Sequence, residues 1–151
     1  RHGRPTALLI LDLDNFKRVN DQFGHAVGDQ VLRDVGALLT ENARTTDIVC
    51  RYGGEELPVL LPETALVDAT KVAERLRESV QLRKDPRDVR VTMSAGVAVC
   101  PDHGTEADVL IAAADAAMYR AKADGKNRVA IAIAAWPGEG HPQEGHNGAS
   151  R

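Results

Sequence analysis

Aromatic side chains are scarce in this chain, with two Phe, two Tyr and one Trp among 151 residues. Aliphatic side chains and alanine must therefore fill whatever core it builds. Cysteine is scarce too, and Cys50 and Cys100 each fall inside a strand-like apolar segment, as buried free thiols of a reducing compartment do. No apolar stretch approaches the length of a membrane span, and the first residues do not resemble a signal peptide. Positive charge is not in excess. A formal net charge of −3 argues against a surface that grips nucleic acid non-specifically, which needs clustered cations. No Walker-type loop, zinc-ligand spacing or Ser-His-Asp order occurs. The five histidines are scattered, and His25 reads as a loop-holding residue rather than a base.

What is present is a regular alternation of strand and helix patterns, in a length that suits one core. Thr6–Leu11 is a near-continuous apolar run, as in a strand buried on both faces. A short helix is expected over Asn15–Phe23, stopped by Gly24, and Asp29 is expected to cap a longer helix striped by Val31, Leu32, Val35, Leu38 and Leu39. A hairpin follows, roughly Asp47–Tyr52 and Glu55–Leu61. Helix 66–82 is next, with Ala69, Val72, Leu76 and Val80 inward. Val89–Val99 reads as a strand or two strands broken at Gly96. A helix over 106–123, with Leu110, Ala113, Ala117 and Ala121 inward, stops at Gly125, and Arg128–Ala134 closes the sheet. The fold class expected is α+β, with a ferredoxin-like, palm-type βαββαβ core whose mainly antiparallel sheet is flanked by helices. The stretch 135–151, rich in Gly, Pro, His and polar residues, reads as a flexible tail that Trp136 could anchor.

The chemistry concentrates in Arg51-Tyr52-Gly53-Gly54-Glu55-Glu56-Leu57. Two glycines before two carboxylates suggest a hairpin tip that a ligand approaches closely, with charges able to hold a hard divalent cation. The sheet brings Asp12 to the same edge, and Asp12, Asp14, Glu55 and Glu56 together suit Mg²⁺ ions and a polyphosphate. Lys122 and Lys126 lie four apart near a helix C-terminus. Either they complement the helix dipole or they reach phosphates from the side opposite the metals. Asn20 and Asp29 are either a surface amide and a helix cap, or an amide and a carboxylate that read the donor edge of guanine.

Taken together, Asp12-Leu-Asp14-Asn-Phe16-Lys17-Arg-Val-Asn20-Asp21, Phe23-Gly24-His25-Ala-Val-Gly28-Asp29, Arg51-Tyr-Gly53-Gly54-Glu55-Glu56, Ser94-Ala-Gly96-Val and Ala114-Asp115 through Lys122, Gly125, Lys126 and Asn127 resemble the GGDEF domain of diguanylate cyclases. The resemblance covers about residues 5–134. It implies condensation of two GTP into cyclic di-GMP with release of two pyrophosphates, using Mg²⁺ or Mn²⁺. Asp12 and Glu55 would be the principal metal ligands, helped by the carbonyl of Leu13, and Glu56 would complete the site or help deprotonate the attacking hydroxyl. Asn20 and Asp29 would hold guanine, Phe16 and Lys17 would line the phosphate pocket, and Lys122 and Lys126 would bind its outer oxygens. Gly53 and Gly54 would admit the ribose and α-phosphate. One GTP per domain implies a homodimer, usually assembled by an upstream sensor domain in the cytoplasm. Arg44 and Asp47 resemble the family's inhibitory motif for the product, with Arg75 as a secondary arginine. Without the resemblance, Arg44 and Asp47 are an ordinary surface pair.

The pattern is broken in places. Leu57 stands where phenylalanine is usual, and Lys126 where arginine is. Pro58 follows in an interior strand, where it is expected to shift or bulge the hairpin if its amide position should pair, carrying Glu55 and Glu56 with it. A displacement of about 1 Å can cost on the order of a hundredfold in rate. The family's usual helical segment with Asp-x-Leu-Thr does not precede the first strand, so residues 1–134 read as a domain of a longer signalling protein. The competing readings are a degenerate module that binds GTP or cyclic di-GMP without turnover, and a palm-type cyclase making a purine mononucleotide.

Overall fold

Alternating aliphatic residues in Thr6–Leu13 (β1) set the plan of the molecule, because this strand lies at the centre of the sheet. A computed structural model describes residues 4–51 and 54–134. Tyr52 and Gly53 at the expected hairpin tip, and the expected tail 135–151 with Trp136, lie outside the described residues. After β1 come helices Phe16–Phe23 (α1) and His25–Asn42 (α2), strands Ile48–Val49 (β2) and Glu56–Leu61 (β3), and helix Leu66–Gln81 (α3). Strand Met93–Cys100 (β4), helix Ala107–Ala123 (α4) and strand Val129–Ile131 (β5) complete the order.

The sheet runs β2-β3-β1-β4-β5. Its first four strands have the ferredoxin-like order, all antiparallel, and β5 adds to β4 in parallel after α4. The α+β expectation therefore holds. Ala7, Leu9, Leu11 and Leu13 of β1 and Leu57, Val59 and Leu61 of β3 enter the larger core, with residues of α1, α2 and α3. Leu8 and Ile10 face the other way, against Leu110, Ala114, Ala117 and Met118 of α4. This period of two fixes where the next residues point. Asp12 and Glu56 continue the α4 face.

Four local expectations need correction. Asp29 does not cap a helix: α2 begins four residues earlier, at His25, and Asp29 sits exposed inside it. Gly24, at φ 90°, ends α1 and opens α2 at once, donating to Asn20 and accepting from Gly28. Gly96 does not break a strand either. A Cβ there would lie 1.9 Å from the Ala114 carbonyl oxygen, so the glycine lets α4 touch β4. The strand itself starts only at Met93, with Val89 and Val91 buried in an irregular lead-in. The flanking strands β2 and β5 are shorter than their apolar patterns suggested. Cys50 lies just past β2 and Cys100 ends β4; both are free thiols and half-buried rather than buried.

Pro58 causes no bulge. The β1–β3 register is unbroken from Ala7↔Leu61 to Asp12↔Glu56, with Ile10 opposite Pro58. Leu13 donates to the Glu55 carbonyl, so odd-numbered β1 residues make the hydrogen-bonded pairs and the Pro58 nitrogen faces β2 instead. There Cys50 still donates to the Pro58 carbonyl at 2.8 Å, but the return bond has no donor, and the β2 ladder ends at Val49. Proline thus shortens the edge and leaves the centre intact.

Two glycine substitutions should have opposite signs. Gly96→Ala should destabilise by about 2–3 kcal/mol or more, because backbone rather than a mobile side chain blocks the new methyl. Gly36→Ala, inside α2 with nothing within 4 Å, should stabilise by up to about 1 kcal/mol. Denaturant unfolding measures both; equal effects would contradict the α4–β4 packing described.

Candidate active site

Asp12 and Glu56 face each other across a pair that is not hydrogen-bonded, the arrangement that brings opposite side chains closest. Glu55 is anchored beside them through its carbonyl, which accepts from Leu13. Burial raises the Asp12 carboxyl to about 6; Lys122 opposes the rise, and the charges of Glu55 and Glu56 add to it. Asp12 Oδ1 is buried without a hydrogen-bond partner, and the Lys122 ammonium lies 3.5 Å away. Glu56 is also pushed up, by burial first and then by Asp115 of α4. Asp115 was missed as a site residue. It precedes Lys122 by seven positions, two helical turns, so a helical-face reading of α4 would have found it.

Asp14 does not join these acids. Its carboxyl is buried, accepting from Ser94 Oγ at 2.6 Å, Thr92 Oγ1 at 2.7 Å, the Asn127 backbone at 2.9 Å and Lys122 Nζ at 3.2 Å. Burial alone would raise it, but those donors outweigh burial and hold it below the usual carboxylate range. One acid of the Asp-Leu-Asp run is left unpartnered beside Glu56 and the other ties the fold together.

The lysines are not on the side opposite the acids. Lys122 Nζ donates to the Leu13 carbonyl at 3.2 Å as well as to Asp14, so its charge sits against Asp12 itself. Lys126 Nζ donates to Asn15 Oδ1 at 2.7 Å, at the start of α1. From there a surface depression lined by Asn15, Lys17, Arg18, Asp21 and Gln22 follows the exposed side of α1. Phe16 is buried and Lys17 is exposed.

Asn20 is packed tightly against α2. A Cβ on Gly28 would fall 1.9 Å from Asn20 Oδ1 and 3.2 Å from the Phe16 ring, so this glycine makes room for the amide, with Asp29 next in the chain. Gly54 is in a left-handed conformation, φ 88°. At the far end of α2, Arg44 forks onto Asp47 with Nε and Nη2 at 3.2 and 3.0 Å, and Nη2 also donates to Thr64 at 2.6 Å. Arg75 reaches from α3 to the Asn42 carbonyl at 3.1 Å, two residues before Arg44. These three inhibitory-motif candidates therefore gather around one loop.

Among the described residues, no three His, Cys, Asp or Glu side chains form a ready-made metal cage. The donors present suit a different kind of site. An unpartnered, buried Asp12 oxygen crowded by Glu55 and Glu56 fits Mg²⁺, which takes few carboxylates and completes its shell with water and phosphate.

Comparison with known proteins agrees with this geometry. The family model described as "Diguanylate cyclase, GGDEF domain" matches residues 1–128. The response regulator PleD of Caulobacter vibrioides is 42% identical over 132 residues, 84% of this chain and 29% of its own length. The chain thus spans under a third of that relative. The solved GGDEF domain of YfiN (TpbB) from Pseudomonas aeruginosa superposes with a TM-score of 0.84 at 34% identity, covering 89% of this chain and 86% of that one. The GGDEF domain of DgcB from Caulobacter crescentus, in complex with c-di-GMP, gives 0.79 at 34% identity, covering 85% and 78%. The chain belongs to the diguanylate cyclase GGDEF-domain family.

Proposed function

We propose that this domain is a diguanylate cyclase that condenses two GTP into cyclic di-GMP and releases two pyrophosphates. The observation that carries the reading is the face-to-face placement of Asp12 and Glu56, with Glu55 alongside and the Lys122 ammonium against them. Asp12, Glu55 and the Leu13 carbonyl would hold Mg²⁺ or Mn²⁺, with Glu56 completing the set. Such an ion, when bound, neutralises phosphate charge and promotes attack by a hydroxyl.

The chain's own residues bind and orient. Asn20 and Asp29 hold guanine, the carboxylate accepting from its N–H edge. Gly53 and Gly54 leave room for ribose and α-phosphate, and Phe16 and Lys17 line the phosphate pocket. Lys122 and Lys126 exchange their present partners for phosphate oxygens. Glu56, its carboxyl already pushed up by burial and Asp115, accepts the proton of the attacking 3′-hydroxyl, which a more basic carboxylate does better. One nucleotide per domain makes catalysis the work of a two-fold pair, assembled by an upstream sensor in the cytoplasm. On this reading residues 1–134 form the catalytic unit and 135–151 a tail. Arg44, Asp47 and Arg75 form a product-feedback site, which gains support from their gathering around one loop. Of the features that would favour a binding-only module, Leu57 is fully buried in the large core and Pro58 leaves the acids in register, so these two weigh towards the enzyme.

Asp12→Asn tests the site in two ways. Cyclic di-GMP formation should become undetectable by chromatography. The raised carboxyl means that wild-type stability present below pH ~4 is lost as pH rises through about 6. The variant escapes that loss. It should equal wild type near pH 4 and exceed it at pH 8 in denaturant unfolding. Unimpaired turnover would remove Asp12 from the site.

Arg44→Ala should leave initial turnover intact and raise the cyclic di-GMP concentration for half-inhibition at least tenfold, matching the loss of a bidentate charged contact. Equal sensitivity of variant and wild type would remove the feedback site.

A further inference from the structure

Lys126 and Asn127 are consecutive non-glycine residues in the left-handed region, at φ 64° and 46°. One such residue is uncommon; two in succession persist only where surrounding contacts over-determine them. Part of the explanation is local. Gly125, at φ 130°, closes α4 with paired bonds: Lys126 N–H donates to the Ala121 carbonyl and Gly125 N–H to Lys122. The rest comes from distant parts of the chain. The Asn127 amide donates to buried Asp14 at 2.9 Å, while its side-chain oxygen accepts from Arg77 Nη1 of α3 at 2.9 Å. Arg77 is itself held rigid by Glu74 and Gln81, each at 3.0 Å, and its side chain is only 17% exposed. Asp14 in turn receives Lys122, and the turn delivers Lys126 to Asn15.

We infer that Arg77 and Asn127 are positioning residues for the two site cations. They clamp the α4–β5 turn onto α3 and onto the end of β1, so that Lys122 and Lys126 present their charges together at the phosphate side. The inference rests on reading that side as a phosphate site, and concerns residues that touch no nucleotide. Arginine suits the place because Nε and Nη1 of its planar fork are spread apart to reach Glu74, Gln81 and Asn127 together, whereas an ammonium offers its donors from one point. Asparagine suits its place because it tolerates the left-handed region and carries the accepting oxygen.

The test titrates inorganic triphosphate with Mg²⁺ into the full chain by calorimetry, alongside thermal melting. Asn127→Gly relieves the backbone strain while removing the acceptor, so the fold should survive with an unchanged melting midpoint. It should nevertheless bind about five- to tenfold more weakly, the scale of one charge-assisted contact. Arg77→Gln should lose a similar factor, and the double variant no more than either alone, because both act through one contact. Arg77→Lys, which keeps the charge but not the planar fork, should recover part of the loss. Wild-type affinity in Asn127→Gly, or losses that multiply in the double variant, would overturn the inference. No binding by the wild-type chain would overturn the phosphate reading itself and the inference with it.

Discussion

A slide of one residue of β3 along β1 would send Glu56 to the wrong face of the sheet. Glu56 would leave Asp12 and enter a core of leucine and valine, and Leu57 would turn towards α4. The hydrophobic pattern forbids this. Leu9, Leu11 and Leu13 alternate with Leu8 and Ile10, and Leu57, Val59 and Leu61 match them on β3. Full burial of aliphatic side chains, each worth roughly 1.5–3 kcal/mol, thus sets the position of two carboxylates that would otherwise avoid each other. Pro58 is tolerated because its missing donor falls on the β2 side of the strand.

The register creates a deliberate electrostatic imbalance at the sheet end. Asp12 and Glu56 are both harder to ionise than free carboxyls, and Lys122 offsets the crowding only in part. Asp14, two residues away, has the opposite fate: its two oxygens accept four hydrogen bonds, from Ser94, Thr92, Asn127 and Lys122. The contrast separates the two acids by role. A satisfied carboxylate holds β1, β4 and the α4–β5 turn together, and the other keeps a buried oxygen without a hydrogen-bond partner. Sites that keep such unmet charge do so at the expense of stability.

Much of this was legible in the chain. Periodicity located the four described helices and the three longer strands, and the spacing of Gly24, Gly54 and Gly125 marked real left-handed or turn positions. What was not legible depended on contacts remote in sequence. The roles of Gly96 and Gly28 follow from Ala114 and Asn20, which no local rule names. Asp14 looked like Asp12 because its partners lie about eighty and more than a hundred residues away. Pro58 looked damaging because sequence shows that a strand is interior but not which neighbour each amide faces. Asp29 looked like a cap because a capping residue preceding an apolar stripe is a sound local signal, and here Gly24 overrides it.

The central claim, that this acid pair and its lysines make a cyclase working across two domains, is tested most directly by product formation from GTP and Mg²⁺ over a range of protein concentrations. The chain should first be stripped of bound nucleotide. Cyclic di-GMP should appear at a rate that rises with more than the first power of protein concentration. A chain that binds GTP yet forms no cyclic di-GMP at any concentration, even with two copies held together by a fused dimerising segment, would contradict the account.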